Sequence, residues 1–242
     1  MVEHATLTLA ALEGITIAAT QVLSLSGLHA VAIRRFDRLV GGGRIHSVSA
    51  GTAIRAATAA GQEPQLGYPE LARLLRRAGV ATDGANLQDA RELFRRMVFN
   101  ILMDNTDDHE KNHSLLVVAP FQHGRFRLAP AYDLLPTHSG QGYQEFICGK
   151  QGRDSTLDNA MSECDAFGLT PVEAAAEVMR VVDVVNTWKL HFAKMGVSAR
   201  DIESLAQQID GEHLLQQRNG FEPGRFAVLP GKRLRKSPFR PT

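Results

Sequence analysis

Apolar residues recur along this chain with two periods, one helical and one alternating, and the places where the period changes mark its elements. Over residues 2–13, Ala5, Leu9 and Leu12 fall on one helical face, and Gly14 stands where a left-handed C-terminal residue fits. Residues 20–25 and 28–34 alternate weakly on either side of Ser26-Gly27, the pattern of a hairpin. "GYPELARLLRRAG" sets Pro69 in a first turn, Gly79 past the last, and Leu71, Leu74 and Leu75 in a stripe. From Asn86 to about Met103 the stripe Ala90, Leu93, Phe94, Met97, Val98, Ile101 and Leu102 predicts a core helix. Residues 114–118 and 125–129 then read as a second hairpin closing on Pro130. Thr170-Pro171 with Glu173 opens a helix expected to run to about Gly196, and Ser198 opens another reaching Ile209.

Composition narrows the class without naming a function. With 242 residues, 44% of them hydrophobic, the chain can build one large domain or two small ones. Its 27 basic and 26 acidic residues leave no overall field toward nucleic acid or anionic lipid. No apolar run reaches the ~18 residues that cross a bilayer, and Cys148 and Cys164 show no framework spacing, so a cytoplasmic protein is expected. Past Phe221 the sequence carries six basic residues, one acidic residue and four prolines, which predicts a disordered tail or a basic arm.

The stretch "DNTDDHEKNH", residues 104–113, spells H-E-x-x-H with His109, Glu110 and His113. In a zinc peptidase both histidines must sit in one helix, because only the i, i+4 relation brings two imidazoles to one metal. Here Asn, Thr and two Asp residues precede them, a strand follows at once, and no third ligand is in register, so the zinc reading is disfavoured. A calcium loop is excluded by the missing glycine at its sixth position and glutamate at its twelfth.

The same loop offers hard donors suited to Mg²⁺: Asp107, Asp108 and, five residues after Asp107, Asn112, with a cation at Lys111. Kinase-type loops use that five-residue interval, an Asp facing the attacking hydroxyl and an Asn on the metal. A second metal-binding Asp is expected after a hairpin, and "RLAPAYDLLPT" supplies Asp133. The competing reading is structural: Asp107 and Asp108 capping a turn, and Asp133 opening one.

"NTDDHEKNHSLLV" followed by "RLAPAYDLLPT" resembles the HipA family of bacterial toxin serine/threonine kinases, and "IRRFDR" resembles that family's hinge. Softer similarity continues through "GKQGRDST" and "FGLTP" to about residue 210. The resemblance implies an α+β, protein-kinase-like fold: a mostly helical C-lobe with short β-hairpins and only a remnant of the N-lobe. It divides the chain into that remnant at 1–36, the helical lobe with its catalytic loop at 37–210, and a basic tail at 211–242. It makes Asp107 the catalytic base, Asn112 and Asp133 the Mg²⁺ ligands, and Lys111 the neutraliser of the transferring phosphoryl group of ATP. It gives His109 a supporting role, hydrogen-bonded to hold Asp107, leaves His113 to begin the strand, and sets Glu3 near the ion-pairing position of the first helix. Backbone groups at Arg35 and Phe36 would meet adenine, and Asp37 a ribose hydroxyl. Arg34 departs from the pattern, since an acidic residue is usual there.

The resemblance also implies partners. The acceptor would be a protein Ser or Thr, for which aminoacyl-tRNA synthetases are the family's typical targets, and a HipB-like DNA-binding antitoxin would be a second partner. The phosphate-covering loop and strand lysine of kinases are expected upstream of Met1, so the chain alone is expected to be weak or inactive. Either a separate chain supplies the missing lobe or the sequence is a truncated remnant. The alternative is a non-catalytic module of the same fold, kept for binding an antitoxin-type partner.

Overall fold

The computed structural model describes residues 1–119 and 125–227. Fourteen α-helices and β-strands are found among them. In chain order they are α1 (Val2–Leu12), β1 (Thr20–Leu25), β2 (Leu28–Ile33), β3 (His46–Ser49), α2 (Ala50–Ala57), α3 (Tyr68–Ala78) and α4 (Ala85–Leu102). There follow β4 (Ser114–Ala119), β5 (Arg125–Leu128), α5 (Leu157–Met161), α6 (Pro171–Val185), α7 (Trp188–Lys194), α8 (Ala199–Ile209) and α9 (Glu212–Gly220). The fold is α+β, with helices dominant and two small antiparallel sheets, β1-β2 and β3-β4-β5. No helix among the described residues is long and apolar enough to cross a membrane.

The central helix α4 organises the rest. Its apolar stripe is wholly buried, and α3, α5 and α6 pack around it with Leu71, Leu75, Phe167 and Val178 in the shared core. Asp89 on α4 grips β5, accepting two hydrogen bonds from Arg127 (2.8 and 2.9 Å) and one from the Leu128 N–H (2.9 Å). The β4-β5 hairpin is thereby seated with Leu115 opposite Leu128. Its connecting residues, the "FQHG" expected as the turn, lie outside the described residues.

At the other end, the β1-β2 hairpin closes on Ser26 and Gly27, both at positive φ (48° and 82°), the twist that suits a two-residue turn. Parallel bridging between Ile17 and Ala131 joins this region to the segment before Asp133: Ala18 N–H reaches Ala131 O (2.8 Å) and Ala131 N–H reaches Thr16 O (2.7 Å). Buried Arg96 on α4 donates to Ala129 O (2.9 Å) and Thr16 O (3.3 Å) and pairs with Glu92, which accepts from Thr16 N–H (3.1 Å).

Several expectations need correction. In α1 the core residues are Ala5, Leu7, Leu9 and Ala10, while Leu12 is 62% exposed. The long helix expected to reach Gly196 breaks at Asn186-Thr187. There the Thr187 hydroxyl donates to Val184 O (2.7 Å), and Trp188, its ring buried, starts α7. The Thr170–Glu173 capping box does open α6. The strand β3 and helices α2 and α5 were unforeseen, and so was α9, which lies inside the segment assigned to the tail. It is helical with Leu214 and Arg218 buried, Arg218 donating to Ile209 O (2.5 Å) and Asp210 Oδ1 (2.7 Å). Residues 228–242 of the expected tail lie outside the described residues.

Candidate active site

After α4 ends, Asp104 turns the chain with a left-handed backbone (φ 55°), and residues 105–113 cross the face between α3 and the β3-β4-β5 sheet as a loop. The histidines of H-E-x-x-H are therefore not on one helix. His113 is buried, its Nε2 2.7 Å from Asp108 Oδ2 and its ring stacked on Phe146. Among the described residues no cluster of three His, Cys, Asp or Glu side chains is placed to hold a metal. The zinc-peptidase geometry is absent.

What fixes this loop is a buried polar chain. Asn105 donates to Asn100 Oδ1 (3.0 Å), Asn100 donates to Tyr68 Oη (3.0 Å), Tyr68 O–H donates to Asp108 Oδ2, and Asp108 also meets His113. Asn100, Asn105, Asp108 and His113 are at most 3% exposed, and Tyr68 not at all. Burial, then the Asp108 charge, pushes the Tyr68 hydroxyl well above its usual range, so it stays a donor. Helix α2 closes the outside. Ser49 caps it, Ala50 N–H binds His113 O (2.8 Å), and Gly51 lies so close to the loop that a β-carbon there would sit 2.3 Å from Glu110 Cγ.

With Asp108 and His113 turned inward, Asp107 is left exposed, while Asn112 is itself buried. They share a cavity of about 260 Å³ with Asn105, Asp133, Leu135, Pro136 and Thr137. Asp107 and Asp133 are exposed, and neither carboxylate nor the Asn112 amide has a side-chain hydrogen bond or ion pair among the described residues. Asp133, like Asp104, has φ 55°, a conformation held by the bridging of Ala131 behind it and by buried Leu134 after it. Three hard donors thus converge on one space from two separate segments.

Beside it, a second cavity of about 500 Å³ is lined by Ile33, Arg34, Arg35, Phe36 and Asp37 on one wall and by Ser47, Ser49, Ser114 and Tyr132 on the other. Tyr132, adjacent to Asp133 in the chain, lines this second cavity. Its ring lies 5.6 Å from that of Phe36, and its hydroxyl donates to Lys111 O (2.6 Å) within 2.8 Å of Ser114 Oγ. Sequence reasoning passed over Tyr132 and the Tyr68 network. Tyr132 at least had a signal, its position next to the candidate metal ligand.

The remaining candidates fall less neatly. Lys111 is exposed and is not among the residues lining either cavity; only its backbone carbonyl is engaged. The hydrogen bond expected from His109 to Asp107 is not made: the turn is held instead by Asn112 N–H to His109 O (3.0 Å), and His109 Nδ1 is buried without a partner. Asp37 is occupied by Arg35 (2.6 and 2.8 Å) and Arg38 (2.6 Å), and these guanidiniums, Arg35 first, hold its carboxyl down at about 2. Glu3 on α1 lies near Asp133. Burial, then the Asp133 charge, raises its carboxyl above the usual range, and no cation pairs with it among the described residues.

The family model of the HipA-like C-terminal domain matches residues 1–188. The chain belongs to that family. The same architecture recurs in HipA from the Shewanella oneidensis MR-1 toxin–antitoxin system, solved with HipB and its operator DNA. That match has 16% identity and a TM-score of 0.66 over 91% of this chain and 55% of that one. It recurs also in the Helicobacter pylori proinflammatory kinase CtkA, with 12% identity and a TM-score of 0.63 over 91% of this chain and 80% of that one. The family member described here thus spans about half the length of the Shewanella HipA chain. A search of curated proteins gave no match. At these identities the likeness establishes the kinase-like fold.

Proposed function

We propose that this HipA-like domain is the catalytic portion of a cytoplasmic serine/threonine protein kinase, using Mg²⁺ and ATP. One observation carries the reading: Asp107, Asn112 and Asp133, with no side-chain partner among the described residues, line a single cavity, and Tyr132, next to Asp133 in the chain, lines a second one with Phe36. Hard oxygen donors suit Mg²⁺, and a hinge pocket lined by two aromatic rings suits a nucleobase. Bound Mg²⁺·ATP would supply the transferable γ-phosphoryl group and neutralise part of its charge. Asn112 and Asp133 are the ligands, the backbone at Arg35 and Phe36 meets the base, and Asp107 accepts the proton of the acceptor hydroxyl. Asp37 reaches a ribose hydroxyl only if it exchanges one of its arginine partners. The buried, free cysteines suit a reducing compartment.

The phosphates also need a cation, and among the described residues none lines the cavity. Half-buried, unpaired Glu3 beside Asp133 is the seat such a cation would occupy, so this reading includes a lysine-bearing segment or separate chain that completes the N-lobe. The complete enzyme would phosphorylate a protein Ser or Thr, an aminoacyl-tRNA synthetase being the acceptor the family resemblance suggests. A second reading is a non-catalytic module that binds a HipB-like antitoxin. The Shewanella HipA, crystallised with HipB and operator DNA, supports such a partner.

Calorimetry with ATP separates the two readings. The kinase reading expects binding that requires Mg²⁺ and is lost in Asp133→Ala and Asn112→Ala. Binding that ignores both substitutions, or no binding at all, favours the non-catalytic module.

A further inference from the structure

Asp107 borders two cavities. Opposite the one it shares with Asp133 is another of about 410 Å³, lined by Thr106, Thr137, Ser139, Gln141, Tyr143 and Glu145. Among the described residues Thr137 is the only other one on both walls, and its contacts run to the backbone just before Asp107. Its N–H and its hydroxyl both donate to Asp104 O (2.9 and 2.7 Å). Its Oγ1 also accepts from Thr106 N–H (3.3 Å) and lies 2.7 Å from Thr106 Oγ1. Around it, Ser139 Oγ is 2.6 Å from Thr106 Oγ1, and Gly140 N–H donates to Asp104 Oδ2 (3.3 Å).

We propose that Thr137 is a positioning residue that sets the distance between Asp107 and Asp133 across the metal cavity. Only three residues separate Asp133 from Thr137, and two of them, Leu134 and Pro136, are buried, so this connection is a short fixed strut. At its near end Asp133 holds a left-handed backbone. At its far end the Thr137 hydroxyl grips Asp104, which holds another. Such conformations persist only where their surroundings over-determine them, and deleting the hydroxyl removes one of the two hydrogen bonds that Thr137 gives Asp104 O. The two aspartates sit on different segments, tied through the core behind and through this hydroxyl in front. A side chain that orients metal ligands in this way typically affects metal affinity by ~10–100-fold without touching the metal.

The inference rests on the Mg²⁺·ATP reading, and its test is arranged so that the two fail separately. The probe is Mg²⁺ titrated by calorimetry in the presence of a non-hydrolysable ATP analogue, with thermal unfolding recorded on each variant. Thr137→Val is expected to weaken Mg²⁺ binding by ~10-fold or more while melting in the same cooperative transition. Thr137→Ser, which keeps the hydroxyl, is expected to retain wild-type affinity. Wild-type affinity in Thr137→Val overturns the proposal, as does a loss that Thr137→Ser shares in full. Should the wild-type chain bind no nucleotide, the kinase reading fails and hydrogen exchange decides on the clamp. Faster exchange in Thr137→Val at both 104–108 and 133–137 supports it, and a change confined to residue 137 overturns it. Ser139→Ala removes only an outer contact of the cluster and gives the same pattern in weaker form if Thr137→Val does not fold.

Discussion

Two adjacent aspartates in one loop are treated in opposite ways. Asp108 is 1% exposed and spends its carboxylate on Tyr68 and His113. Asp107 is exposed, has no side-chain partner among the described residues, and lines a cavity with Asn112 and Asp133. The difference shows how the loop divides its duties. A turn presents neighbouring residues to opposite sides, so the inward one can be fixed by desolvated hydrogen bonds while the outward one keeps its lone pairs for a ligand. Holding the second requires the first, because an exposed loop without buried anchors would sample many conformations.

That division predicts unequal costs of mutation. Asp108→Ala strands the Tyr68 hydroxyl and the His113 ring in the core, and should cost roughly 3–5 kcal/mol in chemical denaturation. Asp107→Ala should stay within about 0.5 kcal/mol of wild type. Equal costs would erase the distinction. Tyr68→Phe deletes a single O–H from the middle of the chain, leaving Asp108 and Asn100 each short of one partner, and should cost ~1–3 kcal/mol. Its loss should be far from additive with that of Asp108→Ala, since both sit in one network.

The smallest effect sharpens the comparison on the side facing the ligand, at Glu3. Its folded carboxyl titrates above the usual 4.5, from burial first and the Asp133 charge second, so the folded state binds its proton more tightly than the unfolded chain. The ionised form therefore costs stability above the unfolded value, and the cost disappears as pH falls below it. Glu3→Gln should raise the melting temperature near neutral pH and lose that advantage by about pH 4. A difference that grows on acidification would contradict the placement of Glu3 beside Asp133.

Much of this was readable from sequence because it depends on short-range pattern. The stripe of α4 and the Ser26-Gly27 turn are local, and each is present in the folded chain. The supporting network was not readable: Tyr68 meets Asp108 across 40 residues, and nothing near either one marks the contact. Strand β3 and helix α2 were missed because "HSVSAGTAIRAA" has too few large apolar residues to show a period, although Val48, Ala50 and Ile54 do pack inward. The roles expected for His109 and Lys111 followed from the family resemblance; in the turn His109 makes no hydrogen bond to Asp107, and Lys111 does not line the cavity among the described residues. Asp104 and Thr137 carry no motif at all, since what matters there is a backbone carbonyl and a hydroxyl that folding brings together.

The central claim is that Asp107, Asn112 and Asp133 surround a divalent ion beneath a nucleotide. It is tested most directly by the side-chain amide resonances of Asn112 in ¹⁵N-labelled protein titrated with Mn²⁺ and a non-hydrolysable ATP analogue. Paramagnetic broadening should strike the Asn112 signals first, together with the backbone amides of residues 107 and 133, and should vanish in Asp133→Ala. Broadening centred on His109 or His113, or Asn112 signals that stay sharp while the nucleotide binds, would contradict it.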